Sequence, residues 1–150
     1  MYCKILVTVE NSDTDEVILA HIEPLLELLK PEVVLLHVAD GWAARNFDAL
    51  KLNESEEMKA DREYLETVRE RLSHHSPHVQ TVLRCGSASD EILKVAREES
   101  VDLVAMATHG HRLLQDVMRG TTVDKVRHQL EVPLLLLKAP KKVKIEYSIL

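Results

Sequence analysis

Apolar residues along this chain keep two alternating rhythms. Continuous short runs at 4–9 (KILVTV), 33–38 (VVLLHV), 79–83, 103–107 and 133–137 are rich in valine, leucine and isoleucine. Polar residues bound each run, which predicts five strands covered on both faces. Between the runs the period is helical. Val17, Ile18, Ile22, Leu25, Leu26 and Leu29 line one side of a first helix, and Met58, Leu65, Val68 and Leu72 form a narrow stripe on a charge-rich helix over 54–73. Ile92, Leu93 and Ala96 carry a third helix to Ser100, and Val123, Val126 and Leu130 mark a fourth. Helix-start signals stand at Ser12 or Asp13 with Asp15 or Glu16 three residues on, at Ser87 facing Asp90, and at Thr121 with Asp124. Pro24 removes one backbone donor and predicts a kink in the first helix, unless its second half is a separate turn.

Strand and helix alternate from end to end, so the pattern predicts a single-domain α/β fold over 1–140. Right-handed crossovers make it a doubly wound parallel sheet with helices on both faces. After Pro140 the rhythm changes to period two: Val143, Ile145, Tyr147 and Ile149 fall on one side, Lys144, Glu146 and Ser148 on the other. Residues 141–150 are therefore expected to form a C-terminal extension, a short half-buried sixth strand that pairs with its own chain or acts as a dimer arm. A frayed terminus is the alternative. In doubly wound sheets ligands bind beyond the carboxyl ends of strands where the winding reverses. Residues 106–122, MATHGHRLLQDVMRGTT, lie at one such end.

Composition narrows the classes of partner. Aromatic residues make up only 3%, so the core must be aliphatic. A net charge of −6 disfavours a nucleic-acid binder, which normally shows a basic face. No basic-headed apolar leader opens the chain and no apolar run approaches the length of a membrane span, so a cytoplasmic protein without membrane contact is expected. Cys3 and Cys85 fall at opposite ends of parallel strands, roughly 15 Å apart, too far for a disulfide. Both are read as small buried apolar residues.

Two of the four glycines, Gly110 and Gly120, stand in the single connection between the fourth strand and the fourth helix. A helix amino terminus offers free N–H groups and the positive end of a dipole. Gly120 admits close approach of a phosphate to the backbone, Thr121 and Thr122 add hydroxyls, and His111, Arg112 and Arg119 add positive charge. Neither the P-loop pattern nor the dinucleotide glycine pattern is present. Other candidates are weaker. Thr108–His111 (THGH) follows the fourth strand, not the first, and has the wrong spacing for a nucleotidyl transferase. His74, His75 and His78 lack a cysteine or acid beside them and read as a solvated loop. His37, inside an apolar strand, reads as a satisfied core histidine, and the charged side of helix 54–73 as a solvated face. No Ser-His-Asp or Cys-His set has supporting context.

At the glycine stretch the chain resembles the universal stress proteins, and the likeness covers about residues 3–138. Their nucleotide signature places glycine, two residues, glycine, nine residues, glycine, then serine or threonine; Gly110, Gly120 and Thr121 match its second half, and Ala107 stands at the first glycine. Glu10, in VTVEN, stands where ATP-binding members carry an aspartate on ribose, and Val38, in LLHVAD, where a valine lies against adenine. The resemblance implies a five-stranded parallel sheet in the order 3-2-1-4-5, a homodimer, a cytoplasmic role in stress tolerance or signalling, and protein partners yet to be named. It also implies that ATP or AMP is a regulatory ligand, with Mg²⁺ bridging the phosphates and at most very slow hydrolysis. Glu10 would meet ribose, and Val9, Val38 and Met106 adenine. Thr8, in the first strand, belongs to the same nucleotide site; Ala107, His109 and Gly110 would line the phosphate path, and Gly120, Thr121 and Thr122 hold the phosphates. If the first glycine needs positive φ, Ala107 strains the loop by about 1 kcal/mol; if phosphate touches its Cα, the methyl costs more. The same glycines also serve as turn and cap residues of an empty fold, which leaves open a dimeric stress protein acting through protein–protein contacts.

Overall fold

A computed structural model describes residues 1–39, 56–108 and 121–139, without the Thr121 side chain. In chain order they form β1 (Lys4–Thr8), α1 (Asp15–Leu29), β2 (Glu32–Ala39), α2 (Glu56–Ser73), β3 (His78–Cys85), α3 (Ala88–Glu98), β4 (Leu103–Thr108), α4 (Thr121–Gln129) and β5 (Leu134–Lys138). The five strands make one sheet in the order β3-β2-β1-β4-β5, every pair parallel. This is the doubly wound α/β fold that the alternating rhythms imply. Trp42, His109, Gly110, Gly120 and the proposed tail strand lie outside the described residues.

Apolar strand residues split by parity onto the two faces. Ile5, Val7, Val33, Leu35, Leu103 and Ala105 pack against Ile18, Ile22 and Leu26 of α1 and Leu65, Val68 and Leu72 of α2. Leu6, Val34, Leu36, Val104 and Met106 pack against Ile92, Val95 and Ala96 of α3 and Val126 of α4. Because both faces are covered, the strands carry no polar alternation and read as continuous apolar runs.

Three expectations are corrected. α1 passes through Pro24 as one helix, so its second half is not a separate turn, and Pro24 and Ala20, the residue whose carbonyl loses its donor, are both exposed. The helix starts at Asp15 after Thr14 and makes no side-chain cap, because the Asp15 carboxylate turns back onto the preceding loop and Ser12 Oγ accepts from the Thr14 N–H. α1 also ends without glycine: Lys30, at φ 50, donates its N–H to the Leu26 carbonyl and Pro31 follows. Finally, Cys3 is exposed and Cys85 only half-buried, both as free thiols, since each falls at a sheet rim and not within the covered middle. Ser87 does occupy the N-cap of α3 with extended backbone, though its hydroxyl meets Ser89 Oγ at 3.2 Å.

Candidate functional site

The winding reverses between β1 and β4: β1 connects outward through β2 to β3, and β4 connects outward to β5. In doubly wound sheets the carboxyl ends of the strands at such a reversal are where ligands bind. Thr8 pairs with Leu36 on one side, and Val7 with Ala105 on the other. The Val9 N–H continues the ladder to the Leu36 carbonyl at 2.9 Å, and exposed Glu10 follows at the rim. Val38 is half-buried near the end of β2; Ala107 and Thr108 end β4, with Ala107 paired to Leu137. α4 begins at Thr121, and Thr122 in its first turn is half-buried.

The three residues expected around adenine do not share a face. Val38 and Met106 belong with the α3/α4 side and Val9 with the α1/α2 side, where Ala107 also packs. Val9 and Met106 are buried, so Val38 is the most open of the three. Ala107 lies in extended strand backbone and is absent from the positive-φ residues, so it carries no left-handed strain. Its methyl points into the α1/α2 cluster, away from the face that holds Met106.

Behind the rim lies a buried polar assembly that the sequence reading did not resolve. Asp15 is 3% exposed, and its carboxylate accepts the N–H groups of Glu10 (2.8 Å), Asn11 (2.8 Å) and Ser12 (3.2 Å). The Tyr64 hydroxyl of α2 donates to the same carboxylate at 2.6 Å. Burial first, and then the hydrogen bond to Asp15, push the Tyr64 phenol well above its ordinary range, so it stays a donor. One turn earlier on α2, Asp61 is 6% exposed; it accepts from Asn11 Nδ2 at 3.1 Å and lies 3.1 Å from His37 Nε2. His37 Nδ1 meets the Val9 carbonyl at 2.8 Å. His37 is thus the satisfied core histidine expected from its apolar strand, though its partners come from β1 and α2.

Electrostatics elsewhere tie elements together. Arg71 of α2 grips Glu16 of α1 with two nitrogens at 2.7 and 3.0 Å and also pairs with Glu23, and its hydrogen bond holds the Glu16 carboxyl below the usual range. His75 Nδ1 lies 3.2 Å from Glu27, and His74 and His78 are exposed. Among the described residues no three His, Cys, Asp or Glu side chains are grouped to hold a metal ion, and no helix is long and apolar enough to cross a membrane.

Residues 1–138 match the model of the universal stress protein family. Universal stress protein MJ0577 of Methanocaldococcus jannaschii is 28% identical over 155 aligned positions, covering 92% of this chain and 96% of that protein. Its solved structure superposes with a TM-score of 0.74 at 27% identity, over 94% of this chain and 99% of that one. A universal stress protein of Methanothermobacter thermautotrophicus is 35% identical over 134 positions, covering 85% of this chain and 90% of the relative. At 17% identity the fold alone is shared with a universal stress protein of Archaeoglobus fulgidus solved in complex with dAMP (TM-score 0.65, 91% of this chain and 98% of that one).

Proposed function

Because the chain belongs to the universal stress protein family, we propose that it is a stress-response protein that takes ATP or AMP as a regulatory ligand. The observation that carries this reading is the strand order β3-β2-β1-β4-β5, in which Glu10 follows β1, Val38 lies near the end of β2 and α4 follows β4 in the chain. The sequence supplies Gly110 and Gly120-Thr121 to the connection between β4 and α4. The dAMP complex of the Archaeoglobus relative is further support. In this reading Glu10 accepts hydrogen bonds from ribose hydroxyls, and Val9, Val38 and Met106 flank the base. Ala107, His109 and Gly110 border the path to the phosphates, which Gly120, Thr121 and Thr122 hold at the helix terminus, and Thr8 belongs to the same site. Mg²⁺ would accompany the nucleotide and offset its phosphate charge, with no side chain of this chain assigned to it. The ligand acts by occupancy, hydrolysis being at most very slow, in a cytoplasmic homodimer with further protein partners.

Isothermal titration with ATP and Mg²⁺ is expected to show saturable binding, and Gly120→Arg to abolish it by filling the phosphate position. No heat at high protein concentration overturns the reading. The second reading, a dimeric protein with an empty site that works through protein contacts, draws on Ala107 at the signature position and on Leu136, 39% exposed on the edge strand β5. It expects ATP to leave the melting temperature unchanged, whereas a ligand at about 100 times its dissociation constant adds roughly 2.7 kcal/mol.

A further inference from the structure

The turn from β1 to α1 is held by two carboxylates that scarcely reach the surface. Asp15 takes three consecutive main-chain N–H groups and the Tyr64 hydroxyl. Asp61 takes the Asn11 side chain and reaches the Val9 carbonyl through His37. Every residue from Val9 to Ser12 is thereby tied to one of these acids. Asn11 sits at φ 60, in the left-handed region that asparagine adopts more readily than most residues with a side chain. Three successive N–H groups converging on one point form a nest of the kind that attracts a phosphate. Here the chain's own carboxylate fills it.

We propose that Asp15 and Tyr64, supported by Asp61 and His37, are positioning residues of the nucleotide site: they fix the turn so that Glu10 meets the ribose, and they close its N–H groups to phosphate. The proposal rests on the nucleotide reading above. The charge of Asp15 matters because an amide would set its NH2 against main-chain donors, and the Tyr64 hydroxyl is the one link that joins this carboxylate to α2.

The test is titration of the full chain with ATP and with 2′,3′-dideoxy-ATP, which lacks the hydroxyls that Glu10 would accept. The unaltered protein is expected to favour ATP by about tenfold, the worth of a hydrogen bond to a charged group. Tyr64→Phe and Asp15→Asn are expected to weaken ATP by about tenfold and bring that preference close to one. A role in stability alone would weaken both ligands together and preserve the preference, which overturns the proposal. Unchanged ATP affinity in Tyr64→Phe does the same, and that variant decides the matter if Asp15→Asn does not fold. An unaltered protein that binds both ligands equally overturns the positioning role and leaves the nucleotide reading standing; one that binds neither overturns both.

Discussion

Asp61 stands where an apolar side chain would continue the buried stripe of α2, since positions 58, 61, 65, 68 and 72 alternate steps of three and four. Its burial is tolerated because Asn11 donates to it and His37 Nε2 faces it, while His37 Nδ1 meets the Val9 carbonyl. Asp61→Ala is expected to destabilise the protein by about 3 kcal/mol, because it takes away the partner of the buried His37 ring and of the Asn11 amide. In urea unfolding, the His37→Ala/Asp61→Ala double variant should lose less than the sum of the single ones. Additive losses would show that the two side chains are not coupled. This pair also marks a limit of what the sequence conveys. His37 was readable as a core residue from its apolar neighbours, but charge on a helix reads as a solvated face. The gap in the stripe at Asp61 was the available signal, as was the spacing of Asp15 three and four residues before Ile18 and Leu19, both on the buried side of α1.

Among the elements, β1 is fastened at both ends by side chains from distant parts of the chain. At its start Asp102 accepts the N–H groups of Cys3 (2.7 Å) and Lys4 (3.1 Å), and Lys4 Nζ meets Glu99 at 2.9 Å just beyond α3. The Lys4 hydrogen bond holds the Glu99 carboxyl below its ordinary value of 4.5, against the opposing effect of burial. A depressed carboxylate adds stability above its unfolded value and loses it as pH falls through the lower folded one. Glu99→Gln should therefore cost up to about 1 kcal/mol at neutral pH and progressively less as pH drops below 4.5, read from urea midpoints across that range. A pH-independent cost would assign the link to packing. Element types were legible because covered strands and amphipathic helices differ in period. Helix ends were not: α1 starts on a carboxylate that serves its own loop, and stops at Lys30 in a conformation usually left to glycine.

At the scale of the whole molecule, the order β3-β2-β1-β4-β5 leaves β3 and β5 at the edges of the described sheet, and β5 presents Leu136 outward. A homodimer through this edge is expected to sediment as such at micromolar concentration, and truncation after Pro140 should weaken it if 141–150 form the arm. A monomer at that concentration argues against the assembly. The topology was legible from alternation and handedness, and the position of the crevice followed from it; which side chains share a face there required the register. Placing β1 in the middle has a kinetic consequence. β1 leaves the ribosome before the other described strands and can pair with β2 early, but its other neighbour waits for a segment tied to it across 98 residues. Loop closure over that distance is slow, so the centre of the sheet is completed late in synthesis, with the β1 edge that faces β4 open until then. The crevice proposed for the nucleotide is built by that same closure, so a ligand that spans β1 and β4 can report the final folding step.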